Sequence, residues 1–141
     1  VAHSFGTMVI ARALGTQLTA EKVVCINPAT HLDFLIESFC NTLKITPRTR
    51  SAFLRRLEKH YGSDIGIQIS AEENVAGLSV PALIIHDVDD YEVPWQQGER
   101  LANAWPESRF TKTQGLGHRR SLRDRATIEK AVNFIADGSK V

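Results

Sequence analysis

The sequence is short of several things, and each shortage closes off a class of function. It holds only two cysteines, Cys25 and Cys40, in 141 residues. They do not form a C-x-x-C pair or a metal-ligand spacing, which argues against a disulfide scaffold and a zinc module. Cys25 falls in an apolar run and Cys40 in a helical pattern, so both read as buried free thiols. That usage favours a reducing, cytoplasmic compartment. The chain has no apolar run long enough to cross a membrane. It has no excess charge of one sign: 17 basic and 16 acidic residues leave a formal net charge of +1. No broad basic field draws in nucleic acid. Arg48, Arg50, Arg55, Arg56 and Lys59 do cluster, with the spacing of a solvated helix face rather than a phosphate-binding patch. Internal repeats and low-complexity segments are also missing.

What is present is the material of one ordinary domain, 43% of it apolar. Residues 1–15 read as a turn and then a helix with Met8, Val9, Ile10, Ala13 and Leu14, closed by Gly15. Residues 22–27 form a short apolar run ended by Pro28, as expected of a strand buried on both faces. Leu32, Leu35, Ile36, Phe39 and Leu43 recur at helical spacing, and so do Phe53, Leu54 and Leu57. Pro47 suits the first turn of the second of these helices and Gly62 its end. Ser70-Ala71-Glu72-Glu73 fits a capping box. A second buried strand follows at Val80–His86, then acids and a helix from Pro94 over 95–104. Arg109–Thr113 make a shorter strand and 114–120 a glycine-containing loop. A last helix over 125–136 places Ile128, Ala131, Val132, Phe134 and Ile135 on its buried side. Strands alternating with helices predict an α/β fold with a parallel sheet covered on both faces, interrupted by a helical insert.

Three positions carry chemistry. Val1-Ala2-His3-Ser4-Phe5-Gly6 has the form of a nucleophile elbow, G-x-S-x-G, with Ala2 for the first glycine. A serine on a sharp strand-to-helix turn stands clear of the backbone, and small residues on either side allow close approach. The helix start beneath it favours an oxyanion, and the Phe5 amide is a candidate donor to it. Alone the motif is weak, because serines flanked by small residues are common. Asp90 follows a buried strand, on the side where open α/β sheets bind ligands. From there a carboxylate can hold an imidazole in the right tautomer. Asp87, Asp89 and Glu92 read as turn or helix-start charges. The acidic cluster lacks the spacing of a calcium-binding EF-hand loop. His118 lies on a glycine-bearing loop after the last strand, a setting for general acid–base work. His31 and His60 have no comparable setting. His3 reads as a shaper of the elbow, and His86 as a packed, hydrogen-bonded histidine.

Taken together these segments resemble the carboxy-terminal half of a bacterial serine α/β-hydrolase. The family's G-H-S-x-G reads here as Ala2-His3-Ser4-Phe5-Gly6. Its H-G-x-x-D-x-x-V-P reads as His86 to Pro94, and its G-x-G-H as Gly115-Leu116-Gly117-His118. The resemblance spans essentially the whole chain. It implies Ser4 as nucleophile, Asp90 as orienting acid and His118 as base, in the family's triad order. It implies a core of residues 1–29 and 80–141, with a helical cap over 30–79 that selects a small acyl substrate. No metal or organic cofactor is implied. Two residues depart from the pattern: Ala2 replaces a glycine, and Asp87 replaces the glycine after His86. The family's earlier strands, and the upstream loop that gives a second oxyanion amide, have no counterpart here. The expectation is therefore three sheet strands with a long, apolar, unpaired edge. That edge would pair with a missing amino-terminal half or a second copy. The alternative reading is a non-catalytic hydrolase remnant that serves as a pairing module.

Overall fold

Four short segments of the chain become strands because each is hydrophobic on both faces or is flanked by turn formers. The computed structural model describes residues 1–138. Its elements run β1 (Ala2–His3), α1 (Gly6–Leu14), β2 (Val23–Ile26), α2 (Leu32–Thr42), α3 (Pro47–Tyr61), α4 (Ile65–Gln68) and α5 (Ala71–Val75). They continue with β3 (Ala82–Asp87), α6 (Gln96–Ala104), β4 (Ser108–Thr113), α7 (Gly117–Arg120) and α8 (Arg125–Ala136). The strands form one parallel sheet in the order β1-β2-β3-β4. Cys25 lies opposite Ala2 on one side and Ile84 on the other, and Ile84 lies opposite Phe110.

Every residue of β2 and β3 is buried, because the side-chain alternation of a strand feeds two cores at once. Val23, Cys25, Ala82 and Ile84 pack with Met8, Ala11, Ala71, Val75, Leu101 and Trp105, from α1, α5, α6 and the end of α6. Val24, Ile26, Leu83 and Ile85 face the other way and meet Ala131 and Phe134 of α8. Both faces are thus covered by helices, as the alternating pattern predicts.

The differences from expectation are local. The described residues form four strands, not three, because Ala2 and His3 pair with Cys25 and Ile26. The outer strand on that side is two residues long, not a long apolar edge, and the other edge is β4, which carries Arg109 and Lys112. On α8, Thr127, Ala131 and Phe134 form the buried stripe. Ile128, Val132 and Ile135, expected to be buried, are 44%, 55% and 50% exposed. They form a parallel stripe displaced by one residue, about 100° around the helix. Residues 117–120, read as loop, close a short helical turn. The core segment expected over 80–141 ends in three residues that lie outside the described ones.

The helical segment between β2 and β3 begins as the sequence suggests. Thr46 caps α3 by accepting from the Thr49 amide, Pro47 fills its first position, and Gly62 closes it at φ 95°. Ser70 accepts from the Glu73 amide at the start of α5. Only Ile36 and Cys40 of α2 are buried, and no residue of α3 is. Phe39 and Leu43, from the α2 apolar set, are exposed. A cavity of about 330 Å³ lies among α2, α3 and α4, lined by Leu32, Ile36, Leu54, Leu57 and Ile65. The basic residues of α3 all lie in solvent.

Candidate active site

Ser4 occupies the turn between β1 and α1 with a left-handed φ of 52°. Hydrogen bonding explains how a non-glycine residue stays there. The Ser4 amide donates to Ile26 O at 3.1 Å, and its carbonyl accepts from the Thr7 and Ala29 amides at 3.0 and 3.2 Å. The turn is thereby pinned against the end of β2. The Ala2 methyl lies 3.9 Å from where a Gly6 Cβ would stand, so alanine at this position of the elbow fits. The Ser4 hydroxyl has no hydrogen-bond partner among the described residues, and neither does the Phe5 amide.

Asp90 lies in the turn after β3 and is buried. Its Oδ1 accepts from the Glu92 and Val93 amides, both at 2.9 Å. Its Oδ2 accepts from His118 Nδ1 at 2.7 Å and lies 3.4 Å from His86 Nε2. Burial alone would raise the Asp90 pKa. The hydrogen bonds from His118, His86 and the Val93 amide outweigh it and hold the carboxyl well below the usual range. His118 sits in the first turn of α7 and is also buried. With Nδ1–H committed to a carboxylate, its Nε2 is left as the acceptor.

His3 adjoins this pair. Its ring centroid is 4.6 Å from that of His118, and its Nε2–H donates to His118 O at 3.0 Å. Burial lowers the His3 pKa against the opposing pull of that carbonyl. Its place beside Ser4 and over His118 agrees with a shaping role. His86 is fully buried, with Nε2 3.0 Å from Val93 O and Nδ1 without a partner among the described residues. It is a packed histidine, as the sequence suggests, but it also touches Asp90. Gly98 of α6 makes room for it: a Cβ there would lie 2.7 Å from His86 Nδ1.

Two residues of the site escaped the sequence reading. Asp87, read as a turn acid, is fully buried and accepts from the Gly117, Leu116 and Asp89 amides and the Thr113 hydroxyl. Burial works against its charge, but the donors prevail and lower its pKa. Asn27, at the end of β2 with φ 45°, donates from Nδ2 to Gly117 O and His118 O. The available signal was a polar side chain ending a fully buried run, just before Pro28. Asp89, also read as a turn acid, accepts from the Gly115 amide at 2.9 Å, on the loop after β4.

The 330 Å³ cavity is not lined by Ser4 or His118. A second cavity of about 400 Å³ adjoins the Asp90 turn, between α2 residues such as Phe34 and Ser38 and the turn residues Tyr91, Glu92 and Pro94. Among the described residues, no three His, Cys, Asp or Glu side chains are grouped to hold a metal ion. No described helix is long and apolar enough to cross a membrane.

A parallel sheet with helices on both faces, a serine on a strained strand-to-helix turn and an Asp–His pair after the third and fourth strands define one class of fold. The chain has the α/β-hydrolase fold, represented in part. Solved structures bear this out. The chain superposes on 64% of the esterase RhEst1 from Rhodococcus sp. ECU1013 with 98% of its own length, at a TM-score of 0.65 and 18% identity. The bromoperoxidase of Bacillus anthracis gives 0.64 at 21% identity, covering 94% of this chain and 64% of that one. The meta-cleavage product hydrolase CumD of Pseudomonas fluorescens IP01 gives 0.62 at 20% identity, with 98% and 64% covered. By sequence, 61 residues are 33% identical to RutD of Pseudomonas savastanoi pv. phaseolicola, a protein proposed to be a carbamate hydrolase. That match covers 43% of this chain and 24% of RutD. RutD of Pseudomonas syringae pv. syringae is 30% identical over 79 residues, 56% of this chain and 28% of that protein. The chain thus matches less than two thirds of the length of each of these proteins. No protein-family model matches it.

Proposed function

We propose that this chain carries the catalytic triad of a serine hydrolase that cleaves a small ester, thioester, amide or carbamate. One observation carries the reading: the buried Asp90 carboxylate accepts from His118 Nδ1 at 2.7 Å, and His118 stacks beside the residue that precedes Ser4. In this reading His118 Nε2 takes the Ser4 proton as Oγ attacks the carbonyl carbon. The oxyanion is met by the free Phe5 amide at the start of α1. His118 returns the proton to the leaving group, an acyl-Ser4 ester remains, and water activated by His118 releases the acid. Asp90 stays ionised throughout and stabilises the imidazolium. The ester, thioester and amide follow from acyl transfer to a serine; RhEst1 is an esterase, and the carbamate comes from the RutD likeness. The helices over 30–79 would form a cap that selects the acyl group. The two free, buried cysteines suit a reducing compartment, and the cytoplasm is the location we propose.

A fluorophosphonate probe with intact-mass detection tests the assignment. One adduct is expected on the wild-type chain and none on Ser4→Ala. An adduct retained in Ser4→Ala, or a folded wild-type chain that takes none, would overturn the reading.

A further inference from the structure

Asp87 has no step in that chemistry, yet its setting is built for something. It ends β3, is fully buried, and forms no ion pair among the described residues. A buried carboxylate without a cation persists only when donors surround it. Oδ1 accepts from Gly117 N at 2.9 Å and Asp89 N at 3.1 Å. Oδ2 accepts from Thr113 Oγ1 at 2.8 Å and Leu116 N at 3.2 Å. Three of these four donors belong to the segment that leads into His118. Asn27 works from the adjacent strand end. Its Oδ1 accepts from the Asp87 amide at 3.0 Å, and its Nδ2 donates to Gly117 O at 3.1 Å and His118 O at 2.9 Å. Gly117 is thus held at its N–H by Asp87 and at its C=O by Asn27.

Such a grip matters at this place. Gly117 has a left-handed φ of 65°, so the backbone before His118 is of the most permissive kind. The imidazole must keep Nδ1 on Asp90 while Nε2 faces the serine, and small misplacements at such a site cost rate heavily. We propose that Asp87, with Asn27 as its partner, is a positioning residue that fixes the His118 backbone and so holds the imidazole on Asp90. Its consequence for turnover rests on the hydrolase reading above; its effect on His118 does not.

The test is Asp87→Asn in the full chain, which keeps the shape but turns one acceptor oxygen into a donor. Proton NMR would follow the low-field Nδ1 proton of His118, assigned by its loss in His118→Asn. Hydrogen exchange would compare the Leu116 and Gly117 amides with Val24 and Cys25 in β2. The expected result is a broadened or lost His118 signal and amide exchange at 116–117 faster by about tenfold to a hundredfold, with β2 unchanged. Fluorophosphonate labelling should slow by a similar factor. An unchanged His118 signal and exchange pattern would overturn the proposal. So would acceleration shared equally by β2, which would mean a general loss of stability. Should Asp87→Asn not fold, Thr113→Val removes a single donor and should give the same local pattern at smaller amplitude; a global or absent effect again overturns it. If wild type never labels while the NMR changes appear, the clamp stands and the Ser4 mechanism falls. If labelling slows with His118 unmoved, the clamp falls.

Discussion

A φ of 52° is costly for a serine, and Ser4 adopts it because three backbone hydrogen bonds leave the turn no alternative. Residue-scale electrostatics follow the same logic of local donors. Asp87 and Asp90 have folded-state pKa values below the ordinary 3.8, held down by amides, hydroxyls and imidazoles against the cost of burial. His3 lies below its ordinary 6.5 because burial disfavours its charged form. All three groups bind protons more readily in the unfolded chain than in the folded one. The stability they contribute is complete above the unfolded pKa and is lost as pH falls toward the folded one. Melting temperature should therefore decline gently below about pH 6.5, as His3 is forced to charge, and steeply below about pH 4, as the carboxylates protonate. His3→Gln should remove the first decline and Asp90→Asn should shorten the second. Thermal melts from pH 3 to 8 would check both, and a flat profile through pH 6.5 in wild type would contradict the His3 part.

At the scale of elements, α6 reaches β3 because Gly98 has no side chain. A methyl there would meet the His86 ring, with Nδ1, Cβ and Cγ at 2.7, 3.1 and 3.2 Å. His86 is fixed within a buried strand, so the helix or the ring must shift. Because the same imidazole touches Asp90, the shift is transmitted to the candidate site. Gly98→Ala should therefore lower stability by about 1–3 kcal/mol despite its gain in helix propensity. Urea denaturation would read that loss, and a stabilised variant would show the packing to be looser than it looks. Helices α2 and α3 obey a weaker version of the same packing rule. Their apolar residues repeat at helical spacing, but only Ile36 and Cys40 of α2 are buried, so their order depends less on the core.

The whole molecule has a firm centre and a looser helical layer, and its two thiols sample one each. Cys25 is sealed in β2, and burial pushes its pKa up to about 12. Cys40 is one of the two buried residues of α2. A thiol reagent at pH 8 should leave Cys25 unmodified until the sheet opens, and should reach Cys40 first, through local opening of α2. Peptide mapping of partly modified protein would check the order. Equal rates for both would mean that α2 and the sheet open together.

How much of this was legible in the residues is decided by where each signal lives. The apolar runs at Val23–Ile26 and Ala82–Ile85 announce themselves as strands because burial on both faces demands unbroken hydrophobicity. Pro47 announces the start of α3 because its fixed φ suits the first turn of a helix. Ser4, Asp90 and His118 stood out as candidates because each follows a strand in a recognisable motif. Other features depend on neighbours far away in sequence. Nothing local in Asp87 says that its carboxylate meets amides at 116 and 117, some 30 positions on. Nothing local in Asn27 says that it reaches His118 O, 91 positions away. Ile128, Val132 and Ile135 have the same periodicity as the buried stripe of α8, and only the way the helix rests on the sheet chose between them. The sequence by itself determined the longer strands and helices and which residues could do chemistry, because propensity and periodicity act over a few residues. Only the tertiary structure decided which polar groups meet and which apolar stripe is covered, because burial and hydrogen bonding are settled between segments distant in the chain.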